Sequence, residues 1–153
     1  MINMKLIPLT QNQFAQVDDH WFDYLMQWSW RAYWHRHTYY AIRSGKGCVI
    51  QMHRVIMSTP DDLIVDHKDH DGLNNLEENM RNCTNSQNKM NVIPTSNTGY
   101  LGVYFQRNLI RAKIRVEGKA IHIGVFKSVE DAARAYDERA KEYFGEYANL
   151  NFK

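Results

Sequence analysis

The sequence predicts an α+β chain built as two small modules, and three observations predict it. Short strand-like runs are interrupted by a polar loop, "VDHKDHDGLNN" at 65–75, and then lead into a helical segment. From Tyr100 onward, three alternating runs precede one stripe of helical period. Charge divides along the same line: 1–93 carries 9 Lys/Arg against 10 Asp/Glu, whereas 94–153 carries 10 against 7. Between the halves, "IPTSNTG" has the composition of a linker. The expected boundaries are therefore 1–93, a linker at 94–99, and 100–153.

Composition excludes several classes. With 44% hydrophobic and 12% aromatic residues, the chain can bury a core, so wholesale disorder is excluded. Cys48 and Cys83 form no CxxC pair, which excludes a disulfide framework and a four-cysteine zinc site and suits a reducing cytoplasm. No apolar run approaches the roughly 18 residues of a membrane helix. The opening "MINMKLIPLT" lacks the profile of a secretory signal. A cytoplasmic protein with no membrane partner is expected.

In the first module, "MKLIPLT" and "FAQVD" read as strands, and "DDHWFDYLMQW" as helical turns opened by Asp18 or Asp19. "YYAIRS" and "CVIQMHRVIM" flank the glycines of "GKG" as a hairpin, which places His53 in mid-strand. Trp21, Trp28, Trp30 and Trp34 are expected in the core and at interfaces, and His20, His35 and His37 as surface or packing residues. "LIVDHKD" is a strand ending at Asp66-His67, and "MRNC" can pair back upon it. "TNSQNKMN" then carries a capping-box signature, with Thr84 followed three residues later by Gln87.

Three sites can be drawn through the polar loop. A calcium loop counted from His67 puts Asp69, Asp71, Gly72 and Glu78 in EF-hand positions, but its first position is His67 and no amphipathic helix precedes it. A zinc site through His53, His67 and His70 lacks short ligand spacings and thiolates. The third site uses Asp66, His67, Asn79 and Asn88. A strand-terminal Asp and a helix Asn can hold one Mg²⁺ and leave room for water and phosphate oxygens. His67, on the other side of the pleat, then stands where a general base would deprotonate water.

This constellation resembles the HNH endonucleases of the phage and intron-encoded branch, whose ββα-metal fold has this strand–loop–strand–helix order. The matching residues are Asp66-His67, Asn79-Met80 and Asn88, with "NN" at 74–75, "NMRNCT" at 79–84, "SQN" at 86–88 and "MHRVIM" at 52–57. Met80 stands where that branch usually has Leu. The resemblance implies that Asp66 and Asn88 ligate one Mg²⁺ or Mn²⁺ ion and that His67 activates the water, with no structural zinc. Asn79 would bond across the loop, assisted by Asn75, and His53 would support the site or contact phosphate.

The second module reads as three strands, "YLGVYFQ", "IRAKIRV" and "KAIHIGVF", with a tight turn at Glu117-Gly118. Arg111, Lys113 and Arg115 share one face of the second strand. Ile121, Ile123 and Val125 are expected on the opposite, apolar face of the third. "SVEDAARAYDERAKEYFG" is a helix capped by Ser128 and Gly145, with Ala132, Ala133, Tyr136, Ala140 and Tyr143 as its buried stripe. The result is a three-stranded antiparallel sheet packed on one helix, basic on its other face. "GV" at 102–103, "IGVF" at 123–126, "EDAARAYDERA" at 130–140 and "ANLNF" at 148–152 resemble the plant ethylene-response-factor type of DNA-binding domain. That resemblance places Tyr104, Gln106, Arg111, Lys113, Arg115 and His122 at the major groove. Tyr104 and Gln106 stand where plant members carry arginine, and Ile110 where they carry tryptophan, so the plant site preference is not implied.

Together the two resemblances imply a DNA endonuclease of homing type that acts on double-stranded DNA, expected to be monomeric. The alternative is a non-catalytic, sequence-specific DNA-binding protein with a decayed nuclease module.

Overall fold

The computed structural model describes residues 4–91, 93 and 96–152. It is a mixed α+β chain of small sheets and few helices, in two compact units, Met1–Asn85 and Ser86–Lys153. Of the expected linker, Pro94 and Thr95 lie outside the described residues.

In the first unit, β1 (Met4–Pro8) and β2 (Phe14–Asp18) pair antiparallel. β2 also takes up β7 (Asn74–Asn75) in parallel, with Val17 opposite Asn75. This parallel pairing joins the start of the unit to the polar loop, a contact of long sequence separation that no local pattern announces. α1 (Asp19–Leu25) follows; its N-cap Asp18 makes no side-chain cap bond and instead accepts the Glu77 backbone N–H at 2.8 Å.

β3 (Arg31–His35), β4 (Thr38–Ser44) and β5 (Val49–Gln51) form an antiparallel sheet. The chain then turns into α2 (Met52–Ile56), so His53 sits on a short helix rather than in mid-strand. The cause is burial: Met52 and Ile56, one helical turn apart, both enter the core, and that geometry outweighs the strand-like look of "CVIQMHRVIM". The core gathers Ile7, Ala15, Val17, Leu25, Trp30, Ala41, Met52, Ile56, Leu73 and Met80. Trp30 is buried and its indole N–H donates to Leu25 O at 2.8 Å. Trp34 is 54% exposed near the tip of the β3–β4 hairpin.

β6 (Ile64–His67) and β8 (Met80–Cys83) pair antiparallel, with Asp66 opposite Arg81 and His67 opposite Met80. α3 (Asn85–Asn88) is a single turn.

In the second unit, β9 (Val103–Gln106), β10 (Leu109–Val116) and β11 (Lys119–Phe126) form an antiparallel sheet in the order β11-β10-β9. α4 (Val129–Phe144) covers one face, through Ala132, Ala133, Tyr136 and Ala140. The Ser128 hydroxyl caps it by accepting the Asp131 N–H at 3.1 Å. Two expectations fail here. Tyr143 is 41% exposed, and Phe144, one residue on, packs against the core instead. A register shift between Ala112 and Lys113 makes Ala112 face Gly124 and Lys113 face His122. The extra residue, Ile123, changes the strand's parity, so Val125 joins Arg111 and is 50% exposed. Strict alternation cannot reveal such a bulge.

The C-terminal segment is clamped by two side chains. Asp137, buried on α4, accepts the backbone N–H groups of Asn151 at 2.8 Å and Phe152 at 2.9 Å. Asn151 Oδ1 in turn accepts the Leu101 N–H at 2.6 Å. "ANLNF" is thus held on the helix and sheet by hydrogen bonds as well as by apolar contact.

Candidate active site

His67 ends β6 and is 6% exposed. Its Nε2 lies 3.3 Å from Asn75 Oδ1, while Asn75 Nδ2 donates to Leu73 O at 3.2 Å. With its amide nitrogen committed to Leu73, Asn75 presents an oxygen that can only accept. His67 therefore carries its proton on Nε2 and its lone pair on Nδ1. Asn75 is fully buried and its backbone is held by pairing with β2. Burial lowers the His67 pKa; the Asn75 bond and the Asp69, Asp66 and Asp71 charges pull it back only in part. The imidazole is thus neutral near neutral pH.

Asp66 precedes it and points to the other side of the pleat. Arg81, directly across the ladder, donates to Asp66 Oδ2 from Nε at 2.9 Å and Nη2 at 2.7 Å. The side chains are 5% and 13% exposed, so this is a buried ion pair. Arg81 was not singled out from the sequence, yet the signal existed: once "IVDH" is paired with "MRNC", Asp66 must face Arg81.

Asn79 laces the loop shut. Its Nδ2 donates to Asn74 O and to Asp69 Oδ1, both at 2.9 Å, and its Oδ1 accepts the Asp69 N–H at 3.2 Å. Its carbonyl also accepts the Lys68 N–H at 2.9 Å, beside His67. Asp69 Oδ2 takes the Asn74 amide at 2.7 Å, and Asp71 Oδ1 takes the Leu73 N–H at 2.9 Å. Burial would raise the Asp69 pKa, but bonds from Asp71 N–H, Asn79 and Asn74 outweigh it and the carboxyl lies below its usual range. These oxygens shape the loop instead of converging on a cation as an EF-hand requires.

Among the described residues, no three His, Cys, Asp or Glu side chains are placed to share a metal ion, the His53–His67–His70 set included. Cys83 is buried; its thiol is pushed up by burial and by Asp66, so it stays protonated and is no soft ligand. What β6 offers is one carboxylate at a strand end. A hard, largely hydrated divalent cation takes one or two such carboxylates and keeps its waters. Asn88 is the last residue of α3, whose first residue, Asn85, ends the first unit and whose other three open the second.

His53 is 6% exposed and its Nδ1 is buried with no hydrogen-bond partner. Its ring stands edge-on to His67, centroids 5.3 Å apart, and Tyr40 stands edge-on to both, at 5.5 and 5.9 Å. Nothing in the local sequence marks Tyr40; only the fold of β4 brings it here. Gly72 permits the close fit, since a Cβ there would lie 2.5 Å from Tyr39 O and 2.6 Å from the Tyr40 ring.

Burial, then the His67 and Arg54 charges, lowers the His53 pKa to about 3. The unfolded chain takes that proton near pH 6.5, so the contribution to stability is complete above about 6.5 and is lost at about 1.4 kcal/mol per pH unit as pH falls toward 3. Urea midpoints measured at pH 7 and pH 5 are expected to show wild type losing about 2 kcal/mol more than His53→Phe. Equal losses would mean that His53 protonates normally in the fold.

In the second unit, Tyr104, Gln106, Arg111, Lys113, Arg115 and His122 all lie on the sheet. Tyr104 pairs with Arg111 and His122 with Lys113, and the Lys113 ammonium lies 4.6 Å over the Tyr104 ring. Gln106, Lys113, Arg115 and His122 are exposed, whereas Ala112 and Ile114 are buried under α4. Arg111 Nε is buried with no hydrogen-bond partner. Among the described residues, no ion pair engages the basic side chains of this sheet.

No protein-family model matches the chain, and no solved structure matches it. The chain is 34% identical over 108 residues, 67% of its length, to a protein named as an uncharacterized HNH endonuclease of Acanthamoeba polyphaga mimivirus. It is 51% identical over 39 residues, 26% of its length, to an ethylene-responsive transcription factor-like protein of Arabidopsis thaliana. The chain spans 57% of the first relative's length and 17% of the second's. Two thirds of this chain is therefore similar to a protein named as an HNH endonuclease, and a quarter to one named as transcription factor-like.

Proposed function

We propose that this chain is a metal-dependent DNA endonuclease of the HNH homing type, with a ββα-metal core and a C-terminal sheet that binds the major groove of double-stranded DNA. The observation that carries the reading is His67 at a strand end, with its lone pair set on Nδ1 by buried Asn75, and the Asp66 carboxylate on the opposite side of the same strand end. The 34% identity to the mimivirus protein supports it.

In this reading Asp66 and Asn88 hold one Mg²⁺ or Mn²⁺ ion. When bound, the ion supplies charge stabilisation at the phosphorane and the leaving 3′ oxygen. His67 Nδ1 accepts the proton of the attacking water, and its Nε2–H donates to Asn75 throughout. Asn79 keeps the loop closed, so that the backbone at His67 does not shift. His53 lies beside the base and supports it. Tyr104, Gln106, Arg111, Lys113, Arg115 and His122 deliver the nuclease to duplex DNA, and the protein acts as a monomer.

The test is conversion of supercoiled plasmid carrying DNA of the source genome to nicked or linear form. Wild type with Mg²⁺ is expected to cut, EDTA to stop it, and His67→Ala to slow it by about 10²–10⁴-fold. A wild type that binds DNA but cuts no member of a genomic fragment library would make this a DNA-binding protein with a decayed nuclease module.

A further inference from the structure

Between Tyr24 and Pro60 the chain has no Asp or Glu, but it has Arg31, Arg36, Arg43, Lys46 and Arg54. Two of these serve the fold. Arg54 donates to Leu63 O, Thr59 O and Pro60 O, and Arg43 lies 4.4 Å over the Trp28 ring. Lys46 sits in the β4–β5 turn. Arg31 and Arg36 remain, both exposed, on the β3–β4 hairpin.

Cross-strand register places Arg31, Tyr33 and His35 on one face of that hairpin, opposite Ile42, Tyr40 and Thr38. Tyr40 is the residue that stands edge-on to His53 and His67. An exposed row of arginine, tyrosine and histidine therefore runs beside the candidate catalytic histidine on the same face. Tyr33 is 51% exposed, and its ring lies 6.2 Å from His35 with only 19° between the planes.

The hairpin tip turns through a left-handed residue. Arg36 has φ 58°, the left-handed region that favours Gly or Asn, yet an arginine flanked by His35 and His37 occupies it. The left-handed backbone is what a tight hairpin turn requires, as at Arg107 and Glu117, and here it carries an exposed cation at the tip of the row. Nor is the hairpin loose: Thr38 Oγ1 accepts the Gly72 N–H at 3.0 Å, which ties it to the loop next to His67. Burial first, and the Asp66 charge, raise the Tyr40 phenol pKa, and Arg36 is close enough to pull it partly back.

We infer that this hairpin, through Arg31, Tyr33 and His35 on its face and Arg36 at its tip, grips the DNA backbone beside the phosphate that His67 addresses. The assignment rests on the nuclease reading for its position relative to the cut. Exposed positive charge that no ion pair engages among the described residues selects a polyanion, a two-stranded ribbon fits against a duplex, and the Tyr33 ring offers a face to a deoxyribose or base. The contact would hold DNA at the site independently of the second unit's sheet.

Binding of the full chain to a labelled duplex, measured by anisotropy in EDTA over a range of salt, tests this without cleavage. Arg31→Gln/Arg36→Gln is expected to flatten the dependence of log K on log salt by nearly two, at about 0.9 per phosphate contact. Tyr33→Ala should weaken binding several-fold with the slope unchanged. Arg36→Gly separates grip from fold: relief of the left-handed backbone should raise the melting temperature, while the slope falls by nearly one. Lys46→Gln, at the other end of β4, should leave the slope alone.

Wild-type slope and affinity in the double variant would overturn the inference and favour another occupant, such as an acidic protein surface. An equal effect of Lys46→Gln would overturn it too, because bulk charge would then suffice. Cleavage with Mg²⁺ separates the two readings. A cutting protein whose double variant binds normally keeps the nuclease and loses the hairpin. A protein that never cuts, but whose slope flattens as expected, loses the nuclease and keeps the hairpin as a DNA contact.

Discussion

Asp66→Ala is expected to lower cleavage at least as far as His67→Ala, and also to destabilise the first unit by about 3–5 kcal/mol. The two effects have different origins. The carboxylate is proposed to hold the cation that carries most of the charge stabilisation in phosphodiester hydrolysis, and a general base alone contributes about 10²–10⁴-fold. The same carboxylate accepts two bonds from Arg81 in a setting where both side chains are buried. Removing it leaves the guanidinium in low dielectric without this ion pair, which costs more than the pair itself contributes. The double variant Asp66→Leu/Arg81→Met should separate the roles. An apolar pair facing across the same ladder should recover most of the stability lost in Asp66→Ala and none of the cleavage. Urea denaturation and the plasmid assay, run on the three proteins, check it. Recovery of cutting in the double variant would remove Asp66 from the metal site.

The second large effect belongs to Gly102→Ala. Gly102 has φ 72°, and a Cβ built there would overlap the Cδ2–Cε2 edge of the Tyr136 ring and lie 2.5 Å from Lys113 O. That carbonyl and ring cannot both move, because Lys113 N donates to Gly102 O at 2.9 Å and Tyr136 is buried on α4. Left-handed strain of about 1 kcal/mol adds to overpacking of about 1–3 kcal/mol. The second unit should lose roughly 3 kcal/mol and melt at a markedly lower temperature. The proposed binding face starts two residues later at Tyr104, so duplex affinity should fall together with stability. An unchanged melting profile would show that the close approach of β9 to α4 is not required.

Much of this was legible from spacing and residue type. The Ser128 cap, the buried Ala132, Ala133, Tyr136 and Ala140, and the pairing of "IVDH" with "MRNC" are local features. Capping, helical period and strand alternation all operate within a few residues. The exceptions are places where the tertiary environment overrides a local preference. His53 became helical because Met52 and Ile56 share one buried face, and Val125 turned outward because Ile123 inserts a bulge.

The sequence by itself determined the α+β composition, the polar loop between two short strands, the basic character of the C-terminal sheet, and Asp66 and His67 as the residues to test. Only the tertiary structure decided which imidazole nitrogen is basic, since that depends on Asn75 being carried to His67 by parallel pairing with β2. It alone placed Tyr40 and the Arg36 hairpin beside His67. The physical reason is range. Propensity, capping and alternation act over one turn or one strand, whereas a hydrogen bond that sets a tautomer, or a charge set beside a base, joins residues whose proximity exists only after the chain has folded.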